Sequence, residues 1–78
     1  MTKINHHHQK RLEYIASFLR NYRQNVGMTQ YEISECTSSV HRNTIIRAEA
    51  AKNISLLKLF EILDAMELSP QDLFMDVN

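Results

Sequence analysis

Cysteine, proline and glycine each occur once in this 78-residue chain, and tryptophan is absent. A lone Cys36 excludes an internal disulfide and any zinc site built on several thiolates. One glycine (Gly27) and one proline (Pro70) leave few breaks, so helices joined by short turns are expected, with no alternating strand pattern and no repeat. No apolar run approaches the roughly 18 residues that cross a bilayer, so no membrane association is expected. The start, Met1 to His8, has no apolar stretch of the signal-peptide kind, and a reducing cytoplasm is the expected location. His6-His7-His8 lack carboxylate or cysteine partners for a closed ligand set. They read as a flexible segment (residues 1–8) ahead of a single domain over 9–78, and no metal or cofactor is expected. Nor is enzymatic activity, since Cys36 and His41 come with no orienting third group.

Net charge is also absent, the formal value being zero. Its distribution is uneven. Residues 1–52 carry eight Lys and Arg against four Glu, a balance of +4; residues 53–78 carry one Lys against five acids, a balance of −4. Such polarity suits a molecule that meets phosphate at one end.

Apolar spacing and capping residues set out five helices. The first runs from near Gln9 to about Asn25, with Leu12, Ile15, Leu19, Tyr22 and Val26 on one face, and Gly27 ends it. Thr29-Gln30-Tyr31-Glu32 reads as a capping box opening a second helix to about Thr37, which buries Ile33 and either Cys36 or Thr37. A polar break at 37–39 and an apolar Val40 precede a third helix, from His41 or Arg42 to Ala50 or Ala51, burying Ile45 and Ala48. Asn53 is a candidate left-handed stop. Ser55 caps a fourth helix with a stripe of Leu56, Leu59, Phe60, Leu63 and Met66, and Ser69-Pro70 opens a short fifth helix whose Leu73 and Phe74, with Leu68, close the core.

The third helix carries the chemistry. Its start presents Arg42 and Asn43, with Arg47 one turn further on the same side. Arginine bonds guanine O6 and N7 bidentately, asparagine does the same to adenine, and an α-helix fits the major groove. Gln30 and Tyr31 sit at a helix start, where free amides favour an anion.

These residues fall into an ordered pattern. Leu19-Arg20 with Arg23, then Gly27-Met28-Thr29-Gln30-Tyr31-Glu32-Ile33-Ser34, Val40-His41-Arg42-Asn43-Thr44-Ile45-Ile46-Arg47-Ala48-Glu49, Ser55-Leu56 and Leu73-Phe74 follow in sequence. The stretch from Arg23 to Phe74 resembles the Cro and phage-repressor type of helix-turn-helix domain. The resemblance implies an all-α, five-helix, lambda-repressor-like fold in which the second and third helices form the helix-turn-helix. It implies a transcriptional regulator that binds double-stranded DNA at a pseudo-palindromic operator as a homodimer. It places Arg42, Asn43, Arg47 and Ile46 at base edges, and Thr29, Gln30, Tyr31, His41 and Thr44 at phosphates. Arg23 and Glu49 match the pair that forms a structural ion pair in the family. Length and the stretches His41 to Ile45 and Lys52 to Leu56 are similar to stand-alone controller proteins of restriction–modification systems.

The chain departs from the family pattern in three places. The turn between Ser34 and Arg42 is one residue longer and lacks glycine, with Ser38 or Ser39 absorbing the insertion. Ala50-Ala51 stands where a glycine follows Glu49 in the family, so the third helix is expected to run on. Ile46 replaces a residue that is commonly polar, and either meets a thymine methyl or is simply an exposed apolar side chain. Phe18, Leu57, Met75 and Val77 do not all fit one core; they either form a dimer interface with the last two helices or are ordinary exposed hydrophobes, and Leu57, Phe74, Met75 and Val77 would serve a protein partner if the chain works as an antitoxin-like interaction module.

Overall fold

The computed structural model describes residues 4–75 and shows five helices: α1 (His6–Asn25), α2 (Gln30–Glu35), α3 (Arg42–Glu49), α4 (Leu56–Ala65) and α5 (Pro70–Phe74). The expected all-α, five-helix architecture is present, with no strand among the described residues.

Every helix start carries a side-chain cap. Asn5 accepts from the His7 amide, and Thr29 and Ser69 form capping boxes with Glu32 and Asp72. Ser55 accepts from the Lys58 amide. Each cap satisfies a backbone donor that the first turn cannot pair internally. Because Asn5 is an effective cap, α1 begins at His6 rather than near Gln9. His6–His8, expected in a flexible segment, form its first turn, and residues 1–3 of that segment lie outside the described residues.

Three helices end in the same way. The amides of Met28, Lys52 and Leu68 each donate to the carbonyl five residues back, on Arg23, Arg47 and Leu63. The preceding residue is left-handed in each case: Gly27 at φ 76°, Ala51 at φ 60° and Glu67 at φ 58°. This six-to-one closure is the Schellman motif. It corrects two expectations. α3 does not run on through Ala50-Ala51 but closes at Glu49, and the left-handed stop is Ala51, not Asn53. A Cβ in that conformation is strained by about 1–2 kcal/mol, partly offset because glycine loses more backbone entropy on folding. Ala51→Gly should therefore raise stability by about 0.5–1 kcal/mol. Thermal melts should show a gain of a few degrees; a lower midpoint would mean that Ala51 is unstrained.

The core gathers Leu19, Ile33, Val40, Ile45, Leu63 and Leu73 with their neighbours from all five helices. On α4 the buried residues are Leu59, Ile62 and Leu63, with Met66 at its cap, whereas Leu56 and Phe60 are exposed. α4 is apolar on nearly every side, so several stripes at three-and-four spacing are available and packing chooses among them. Val26 is exposed because the chain has already turned out of α1 there. Leu73 is fully buried while Phe74 is exposed, and Cys36 is exposed while Thr37 is half-buried. Thr37 is held inward by its hydroxyl, which donates to the Ser34 carbonyl and accepts from the Val40 amide. Phe18 packs against the core and stacks on Tyr22 with ring centroids 6.3 Å apart. Leu57 and Met75 are exposed, and Val77 lies outside the described residues. No helix among the described residues is long and apolar enough to cross a membrane.

Candidate nucleic-acid interface

α3 divides cleanly into two faces. Ile45, Ala48 and Glu49 point inward, and Arg42, Asn43, Ile46 and Arg47 are exposed. The inward set fastens the helix to the body through apolar contact. The outward set combines two guanidiniums, an amide and a branched apolar chain within two turns. The side chains of Arg42 and Asn43 have no hydrogen-bond partner among the described residues. Arg47 donates from Nη2 to the Asn53 carbonyl at 3.1 Å, which holds its stem along the α3–α4 connection. Thr44 is half-buried beside them.

Glu49 is the hub that orients α3. Its carboxylate accepts from Arg23 Nε at 2.7 Å, from Arg23 Nη2 at 3.0 Å and from Gln30 Nε2 at 3.2 Å. Arg23 also donates from Nη1 to the Met28 carbonyl at 2.8 Å. One buried carboxylate thus ties the end of α1, the loop after it, the start of α2 and the end of α3. The Glu49 hydrogen bond raises the Arg23 guanidinium pKa above its ordinary value, against the opposing effect of burial. Gln30 therefore braces the site from within, while Tyr31 beside it is exposed. Thr29 is engaged in the capping box, its hydroxyl accepting from the Glu32 amide and its amide donating to the Glu32 carboxylate.

The long turn before α3 has its own anchor, which the sequence did not announce. Ser38 and Ser39 donate to the Glu61 carboxylate at 2.7 and 3.0 Å, and Lys58 Nζ donates to the Ser39 carbonyl at 3.1 Å. Both serines participate, so the turn is held to α4 rather than looped out. The partners are 19–23 positions apart, and no local spacing rule links them. The Ser38 and then the Ser39 hydroxyl hold the Glu61 carboxyl below the usual carboxylate range, with a smaller contribution from Lys58. A carboxylate whose pKa is lowered on folding stabilises fully above its unfolded value, about 4.3, and loses that contribution as pH falls further. Glu61→Gln should therefore flatten the acid limb of the stability–pH curve below about pH 4.3; identical limbs in variant and parent would remove Glu61 from it.

His41 caps α3. Its Nδ1 accepts from the Asn43 amide at 3.0 Å, which places the proton of the neutral ring on Nε2. Tyr31, Glu35 and Arg42 line the same surface groove.

A short helix, a six-residue turn and a second helix with an exposed polar face, braced on a common core, form a helix-turn-helix DNA-binding domain. The helix-turn-helix family profile matches residues 19–73, and the chain belongs to this family, in its Cro and phage-repressor type. It is accordingly a DNA-binding regulator of transcription. No curated protein and no solved structure matches the chain significantly.

Proposed function

We propose that the protein binds a pseudo-palindromic operator as a homodimer, with α3 of each copy in the major groove of one half-site. The carrying observation is the pair of unengaged side chains, Arg42 and Asn43, exposed at the start of a helix whose other face is buried. Arg42 and Asn43 read base edges bidentately, Arg47 reaches a further base, and Ile46 meets a thymine methyl. Thr29, Gln30, Tyr31, His41 and Thr44 lie along the phosphate backbone and set the register. Two copies are invoked because one short helix supplies too few base contacts for tight specific binding. Exposed Leu57, Phe74 and Met75 on and beside α4 and α5 offer apolar surface for pairing.

The test is selection of bound sequences from a random double-stranded DNA pool, followed by affinity measurements at two salt concentrations against a scrambled duplex. A two-fold symmetric motif should enrich, with affinity falling as salt rises. Arg42→Ala and Asn43→Ala should each relax preference at particular bases by about 5- to 150-fold, equivalent to about 1–3 kcal/mol per lost bidentate contact. If nothing enriches and the variants bind DNA as the parent does, operator binding is wrong and a protein partner becomes the better reading.

A further inference from the structure

We propose that His41 is a positioning residue that makes sequence readout depend on pH, since it caps the recognition helix only while its ring is neutral. The inference rests on the reading of α3 as the DNA-reading helix.

Of the five helix caps, four are Asn, Thr or Ser side chains that accept at any physiological pH; the fifth, on α3, is an imidazole. Nδ1 of His41 accepts from the Asn43 amide at 3.0 Å. A protonated ring carries N–H on both nitrogens and accepts nothing. Protonation therefore breaks this bond, leaves the Asn43 amide without its cap and sets a positive charge against the positive end of the helix. The residues that lose their support are Arg42 and Asn43, the two that start the exposed face. The titratable and charged side chains that line the same surface groove as His41 are Tyr31 and Glu35 of α2 and Arg42 of α3. Lys58 and Glu61 of α4 bind Ser39 and Ser38 in the same turn.

Two effects of protonation on DNA binding oppose each other, and they are separable. An added positive charge near phosphate strengthens binding to any sequence. A frayed first turn of α3 weakens only the binding that depends on base contacts. The diagnostic quantity is thus the ratio of affinity for the selected duplex to affinity for a scrambled duplex of equal composition. Histidine is the side chain that can change charge within the physiological range, and about pH 5–8 is the range to scan. Across that range the parent's ratio should fall about 3- to 10-fold on acidification, the size expected for loss of one helix cap.

The experiment compares the parent with His41→Asn, which restores a cap that does not titrate, over pH 5–8 at fixed ionic strength. Both proteins keep His6–His8, so the difference between them isolates position 41. A falling ratio in the parent with a ratio in His41→Asn that is level and well above one supports the inference. A His41→Asn ratio of one at every pH overturns it, because position 41 then acts on the DNA directly and not as a cap. Equal falls in both proteins overturn it, because another group then carries the pH dependence. A level ratio in the parent overturns it as well, while leaving operator binding intact. Absence of sequence preference in the parent at every pH overturns operator binding and this inference together. In the DNA-free parent the Asn43 amide resonance should titrate with the His41 ring, and independence of the two overturns the cap-breaking step.

Discussion

Glu49→Ala is expected to destabilise the domain by about 3–5 kcal/mol, a large share of the roughly 4–12 kcal/mol available to a chain of this length. The reason is less the loss of an ion pair than what remains behind. The Arg23 side chain is only 12% exposed and Glu49 5%. Removing the carboxylate leaves a largely covered guanidinium without its counter-charge, and Gln30 loses its acceptor as well. Breaking a buried pair is costly for that reason, even where replacing both partners with apolar residues is nearly neutral. The double variant Arg23→Met, Glu49→Leu should accordingly recover much of the loss, and a double-mutant cycle should return a large coupling energy. Denaturant unfolding of the four proteins measures this. If Glu49→Ala cost no more than Glu35→Ala, an exposed control, the hub would have no mechanical importance. DNA affinity should fall together with stability, since the same carboxylate sets the seating of α3.

The second large effect tests the rotation of α4 about its axis. Ile62→Ala should cost about 3 kcal/mol, within the 2–5 kcal/mol range for truncating a buried branched side chain, and should lower the melting midpoint by more than 10 °C. Ile62 is 1% exposed, so its truncation leaves a cavity that the packed surroundings close only in part. Leu57, on the same helix, is 65% exposed, and Leu57→Ala should change monomer stability by no more than about 0.5 kcal/mol. Comparable losses at the two positions would mean that α4 is rotated away from a packing that buries Ile62 and exposes Leu57. A loss at Leu57 that grows with protein concentration would instead mark that side chain as part of the proposed dimer contact.

The contrast at α4 shows what periodicity can and cannot decide. On α3 the face opposite Ile45 and Ala48 is polar apart from Ile46, so one face is clearly favoured to turn inward. On α4 the chain offers Leu56, Leu57, Leu59, Phe60, Ile62, Leu63 and Met66, and the hydrophobic effect alone, being non-directional, does not rank them. Leu56 and Phe60 complete a stripe as regular as the one that is buried. Ile62 is inside because of where the other helices stand.

Local chemistry by itself determined the five helices, their caps at Thr29, Ser55 and Ser69, the inward face of α3 and the outward run Arg42, Asn43, Ile46 and Arg47. Each depends on residues no more than a few positions apart, where helix geometry alone sets the spacing. The family pattern added the correspondence of Arg23 and Glu49, which are 26 residues apart. Tertiary structure decided the rest: the rotation of α4, the closing of α3 at a left-handed Ala51 in place of a glycine, and the clamp of Ser38 and Ser39 on Glu61. It also decided that Glu49 gathers both Arg23 and Gln30 into one network. In each of these the deciding partner is distant in sequence, or a closing hydrogen bond outweighs a local preference, and only the packed chain brings such groups within bonding distance.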